Sequence, residues 1–240
     1  MLTGTYSDIL AKIGNISEKI YAAIVLFGNK GGENVFIQKL QKLISCPMVG
    51  GGAAIDPVTG CSSLITGGGD AAIFLITDER YTYKTEMKCI HNNILEVCDL
   101  ELDDPRTLLK INGFDAVEYL AQMKKKIGVP PTDFEHLTLS DLNDVNAHLS
   151  LVDGVIKSGR DLQNKMLLRS VTHEDVYDAM YEFYDDPDAI VFGCAGLSGL
   201  LDCPLTTKSL GLFLFGEVCT TGASAEFGNL MLSKLRIVKK

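Results

Sequence analysis

The sequence predicts a mixed α/β protein of two lobes, built mostly on mixed sheets, with an internal strand–helix–strand–strand pseudo-repeat. Three observations carry this expectation. The run Tyr21 to Phe27 (YAAIVLF) is apolar throughout and bounded by Gly28-Asn29, the pattern of a strand buried on both faces. A second such run, Ala189 to Phe192, opens a similar series near the C-terminus. The segments that follow match in position and apolar character: AAIVLFGN with DAIVFGCAG, PMVGGGAAIDPVTG with GLFLFGEVCTTG, and AAIFLITDE with NLMLSKLRIVKK, as an internal duplication would leave them.

The elements follow in order. Ile9, Leu10 and Ile13 recur at helical spacing, so residues 6–16 read as an amphipathic helix with Ser7 or Asp8 at its N-cap. A helix over 33–44 places Val35, Phe36, Leu40, Leu43 and Ile44 on its buried side. A strand over 47–49 runs into the Gly-rich turn Gly50-Gly51-Gly52-Ala53-Ala54, and another, over 71–76, follows the turn Gly67-Gly68-Gly69-Asp70. The middle of the chain differs: a strand near Cys89 to Ile94, a helix over 115–126 and a helix over 172–184, with Thr172 as N-cap and Asp175 three residues on. Residues 128–143 contain Pro130-Pro131 and many polar side chains and read as a surface loop. Strands over 210–215 and 229–238 complete the second copy, giving lobes of 1–85 and 86–240. Where the first copy has a long helix, the second offers only Leu200 to Pro204, and the proline limits it. That shortfall predicts an exposed apolar patch at Leu197, Leu200 and Leu201, fit for a homo-oligomer or another protein partner.

Bulk properties narrow the function. With 240 residues, 46% of them hydrophobic and 22% charged, the chain is expected to fold throughout. A net charge of -9 disfavours nucleic acid as a partner. No apolar run reaches the length of a membrane span and the N-terminus lacks a signal-peptide layout, so a cytoplasmic protein without membrane insertion is expected. Seven scattered cysteines, an odd number without tight spacing, read as reduced thiols. No cofactor is expected, because Cys89 and His91 alone do not make a metal site.

Several segments resemble the FIST family, F-box and intracellular signal transduction sensory domains. CPMVGGGAA at 46–54 is similar to that family's apolar strand entering a Gly-rich turn, and KINGFDAVEYLAQM at 110–123 to its Asn-Gly-then-helix segment. FGCAGLSG at 192–199 and FGEVCTTGASAEFGN at 215–229 resemble its C-terminal signatures, although Leu197 stands where the family often has Arg and the chain is shorter than typical members. The resemblance implies FIST N-like and C-like lobes with a small polar ligand, such as an amino acid, bound between them and relayed to a signalling partner. It carries over Cys194, Gly196, Gly216, Glu217 and Asn229 as ligand-binding positions, and it supports Gly50, Gly51, Gly52 and Ala53.

The residues themselves leave alternatives open. The turn Gly28-Asn29-Lys30-Gly31-Gly32 precedes a helix and can expose amides to an anion, or serve only as a turn. Glu217 at a strand end suits a ligand's α-amino group, or bonds backbone amides of the loop 219–225. Asn229 binds ligand or closes a turn. Cys194 ends a buried strand and is the candidate nucleophile of a thiol-dependent or hydrolytic enzyme, given a base from His91, His136, His148 or His173; an inert buried thiol is the plainer reading. A binding protein without catalysis is the leading expectation.

Overall fold

Alternation along one strand decides the architecture. In β2 (Ala22–Gly28), Ala23, Val25 and Phe27 enter a core shared with helices, while Ala22 and Leu26 enter a second core shared with another sheet. A strand apolar at every position is thus covered on both faces. The computed structural model describes residues 1–28, 31–53, 69–130, 132–201, 207–222 and 224–240. Asn29, Lys30, Ala54, Gly67, Gly68, Cys203 and Pro204, named above in expected turns or the shortened helix, lie outside these described residues.

The first unit runs β1 (Leu2–Gly4), α1 (Tyr6–Gly14), β2, α2 (Glu33–Leu43), β3 (Met48–Ala53) and β4 (Ala71–Ile76). β5 (Tyr81–Cys89) begins the second unit, which an insertion then interrupts. The insertion comprises β6 (Asn93–Asp104), β7 (Thr107–Ile111), β8 (Phe114–Asp115), α3 (Ala116–Ile127), β9 (Leu137–Ser140), β10 (Asn146–Ala147), β11 (Leu149–Val152), β12 (Val155–Ser158) and β13 (Lys165–Ser170). The second unit resumes with α4 (His173–Tyr184), β14 (Ala189–Cys194), α5 (Ala195–Ser198), β15 (Leu210–Leu214), the hairpin β16 (Glu217–Thr221) and β17 (Ser224–Gly228), and β18 (Met231–Lys239).

The two units share one topology. In the first, β1, β4, β2 and β3 lie side by side, paired antiparallel, antiparallel and parallel. In the second, β5, β18, β14 and β15 repeat that order and those directions. The duplication therefore includes a leading strand and helix as well as the strand–helix–strand–strand core. Even the caps correspond: Thr5 and Asp8 form a capping box on α1, and Thr172 with Asp175 starts α4 in the equivalent place. The two sheets face each other across Leu26, Val49, Phe192, Leu214, Cys219 and Leu235, with α1 and α2 covering one outer face and α4 and α5 the other.

β16 and β17 leave the second unit and extend the first sheet, with Glu217 opposite Gly51 and Val218 opposite Gly50. The insertion forms a separate, nearly closed barrel-like sheet in the order β10-β9-β13-β6-β7-β12-β11, with β8 against β7. Its first and last strands in that order, β10 and β11, are joined by His148 alone, so the chain itself bridges the two edges. Leu100, Leu108, Ile111, Leu139, Met166 and Leu168 fill its interior together with Leu120 of α3.

Several expectations change. The cap of α1 is Thr5 rather than Ser7 or Asp8. α2 buries Glu33, Phe36, Ile37 and Leu40, whereas Val35 and Leu43 are exposed, because the buried stripe is rotated toward α1 and β17. β3 continues through Ala53, so Gly50 to Gly52 lie inside a strand and not in a turn. The expected strand near Cys89 to Ile94 is the end of β5, a three-residue link at 90–92 and the start of β6, residues 128–143 contain the fully buried β9, and the lobe boundary at 85/86 falls within β5. Leu197 and Leu200 are buried in the core beneath α4, and Leu201 packs against it, so they form no exposed patch. Among the described residues no helix is long and apolar enough to cross a membrane.

Candidate functional site

The ends of β14, β15 and β17 converge on the barrel and enclose a cavity of about 360 Å³. Cys194, Gly196, Gly216 and Asn229 line it, so four of the positions carried over from the resemblance meet there. Glu33 from α2, Arg106 from the turn after β6, and Glu135 and His148 from the barrel complete its polar wall. Phe215 and Phe227 supply an apolar wall.

Glycine is required where the wall is thinnest. Gly216 has a φ of 91°, and a Cβ there would lie 2.7 Å from the Phe227 ring and 2.9 Å from Asn229 Nδ2. A Cβ on Gly159, on the barrel side, would lie 2.6 Å from Asn229 Oδ1. Asn229 is thus clamped between two glycines. Its backbone N–H donates to the Asn146 carbonyl at 3.0 Å, and its Oδ1 is buried with no hydrogen-bond partner among the described residues.

Gly50 to Gly52 and Ala53 do not line the cavity; they set the position of what does. A Cβ on Gly50 would stand 1.9 Å from the Val25 carbonyl oxygen, and one on Gly51 2.1 Å from that of Gly216. Gly52 accepts a hydrogen bond from Phe215 N at 2.7 Å and donates to the Gly216 carbonyl at 2.9 Å. Ala53 is buried opposite Gly28 at the end of β3. Bare backbone on β3 lets the chain pass from β15 to β16 in direct contact with it.

Glu217 sits one residue behind the wall and is fully buried. Its Oε2 accepts from Met231 N at 3.2 Å, and Oε1 has no hydrogen-bond partner among the described residues. Burial pushes its pKa well above the ordinary carboxylate range, which favours the protonated, uncharged acid. Its side chain does not line the cavity, and its neutral form offers no counter-charge to a ligand amine. The Cys194 thiol, also buried, is pushed up to about 12, first by desolvation and then by the neighbouring Glu217. A thiol held protonated is a poor nucleophile, which disfavours Cys194 as a nucleophile at neutral pH.

The charge in the cavity comes from groups that sequence reasoning missed. Glu33 Oε1 accepts from Gly31 N at 2.6 Å, and Oε2 lies 4.0 Å from Arg106 Nη2. Arg106 also donates from Nε to Asp161 at 2.8 Å. Glu135 Oε1 lies 4.0 Å from His148 Nε2, and burial lowers the His148 pKa against the opposing pull of Glu135, which favours the neutral imidazole. Two carboxylates face one guanidinium, so the cavity wall carries one net negative charge. Of the other histidines, His91 binds the Glu135 carbonyl at 2.7 Å, His136 pairs with Asp133 at 2.5 Å, and His173 contacts the Leu200 carbonyl at 2.9 Å.

Among the described residues no three His, Cys, Asp or Glu side chains gather as metal ligands do, and Cys89 contacts Asn146 and the His91 carbonyl instead. No signal in the sequence joins Glu33, Arg106, Glu135 and His148, since each comes from a different element and only the docking of barrel on sandwich assembles them. No protein-family model matches this chain, and no curated protein matches it.

Proposed function

We propose that this chain is a FIST-like sensory module that binds a small polar molecule bearing an ammonium group, amino acids included, in the cavity around Cys194 and Asn229. The carrying observation is the cavity's place in the fold: its wall is drawn from the sandwich and from the barrel, each of which has its own core. A ligand there touches both bodies and favours one arrangement of the two, which is what a relay to a signalling partner requires. The single net negative charge favours a cation, with Glu135 on the barrel side placed to meet an ammonium group and Arg106 placed to meet a ligand carboxylate. The unpartnered Asn229 carbonyl offers a further acceptor. The scattered cysteines favour the cytoplasm as its location.

A thermal-shift screen of amino acids, amines and neutral or anionic metabolites at millimolar concentration tests the proposal. Saturation at about a hundred times the dissociation constant stabilises the fold by about 2.7 kcal/mol, or about 5–10 °C for a chain of this size. The expected hits carry an ammonium group. A screen in which no ammonium compound raises the midpoint contradicts the proposal.

A further inference from the structure

A second cavity, of about 450 Å³, lies between barrel and sandwich and shares no lining residue with the first. Lys88, Asn92, Asn143, Asp144, Arg169 and Thr221 form its polar wall. Arg169 is only 7% exposed. Its Nη1 donates to the His91 carbonyl at 3.2 Å, its Nη2 pairs with the Asp144 carboxylate, and its Nε–H has no acceptor among the described residues. The register of β13 on β6 shifts between Leu168 and Arg169, an irregularity of the kind that re-aims a side chain.

The counter-ion is the unusual part. A buried guanidinium needs a close anion and satisfied N–H groups, or its desolvation goes uncompensated. Here that anion is Asp144, on the turn between β9 and β10, whose side chain is 61% exposed. The side chains of Asn92, Asn143 and Thr221 make no hydrogen bond among the described residues, which leaves amide and hydroxyl donors facing the same space. Lys88 is also present, bound through Nζ to Glu182 at 2.9 Å. The lining thus holds two cations and one carboxylate, with Glu182 outside the lining as the partner of Lys88 and Asp144 as the partner of Arg169.

We propose that this cavity is an anion-binding site headed by Arg169, taking a small molecule that ends in a carboxylate or phosphate group, with Asp144 as a built-in occupant that the ligand displaces. A planar guanidinium binds two oxygens of either group side by side, which a single point charge does not. The amides of Asn92 and Asn143 and the hydroxyl of Thr221 then meet the remaining oxygens. The site is independent of the ammonium-binding cavity, and either can fail without the other.

The test is a calorimetric titration of the full chain with inorganic phosphate, pyrophosphate and citrate, against sodium chloride at matched ionic strength. Asp144→Asn removes the occupant and keeps a residue that tolerates its backbone φ of 62°. It should bind at least one of the three anions about tenfold more tightly than the wild type, the scale of one charge-assisted hydrogen bond. Asn143→Asp puts a like charge on the exposed turn and should weaken the same anion by about tenfold. The phosphate and citrate arms identify the headgroup. The proposal is overturned if folded Asp144→Asn binds none of the anions at millimolar concentration, or if neither substitution changes the affinity. Because both variants alter an exposed turn, far-ultraviolet circular dichroism is expected to match the wild type; folded Arg169→Gln should lose anion binding, and unchanged binding in it would also overturn the proposal.

Discussion

Gly216→Ala measures the packing that shapes the ligand wall. A Cβ at Gly216 would lie 2.7 Å from Phe227 and 2.9 Å from Asn229, on a backbone with φ of 91°. Gly154, in the turn between β11 and β12, has a φ of 80° and nothing within 4 Å of its would-be Cβ. Both substitutions carry the strain of an L-residue in the left-handed region, about 1–2 kcal/mol. Only the first also forces atoms apart, and overpacking of this kind costs about 1–3 kcal/mol more. Gly216→Ala should therefore lose about 2–5 kcal/mol in urea unfolding followed by far-ultraviolet circular dichroism, and Gly154→Ala about 1–2 kcal/mol. Equal losses would refute the claim that Gly216 is held by contact with Phe227 and Asn229.

The burial of Glu217 gives a pH-dependent difference. The native state retains a proton that the unfolded chain releases above pH 4.5, so the wild type should lose stability relative to Glu217→Gln as pH rises from there toward the raised native pKa, by up to about 1.4 kcal/mol per unit. Unfolding curves at several pH values check it; a difference constant with pH contradicts a neutral Glu217. Cys194 should resist iodoacetamide at neutral pH and react once urea unfolds the chain, as mass spectrometry of the labelled peptide will show; rapid native labelling would restore the thiolate reading. Leu200→Ala should cost about 2–5 kcal/mol, because Leu200 is core beneath α4, and should leave the mass in light scattering unchanged. A stable variant of altered mass would return Leu200 to the surface.

Much of the sandwich was legible because its strands are apolar at consecutive positions and its helices carry caps. β2, β4, β14 and β18, and the helices α2, α3 and α4, lie close to where the apolar runs place them. The duplication was legible in its core, but its leading members escaped notice: β1 has only three residues, and the insertion separates β5 from α4. The barrel was hidden for a different reason. Apart from β6 its strands are short, β9 follows a double proline, and β6 alternates buried Cys98 and Leu100 with exposed neighbours and so carries no continuous apolar run. Gly50 to Gly52 misled because a strand that must touch neighbouring backbone carries no side chains for periodicity to register. Cys194, Gly196, Gly216 and Asn229 share a cavity because the ends of β14, β15 and β17 meet, whereas Glu33, Arg106, Glu135 and His148 arrive there only through tertiary docking.

The most direct test of the sensory account is calorimetric titration of the best ammonium-bearing hit into the wild type, Glu135→Gln and Arg106→Ala. Glu135→Gln keeps the shape of the wall and removes one of the two carboxylates that face the cavity, the one proposed to meet the ammonium group, and it should weaken binding by about tenfold or more. Arg106→Ala should weaken an amino acid while sparing a simple amine, since only the former has a carboxylate to lose. Unchanged affinity in Glu135→Gln would contradict the placement of the ligand in this cavity.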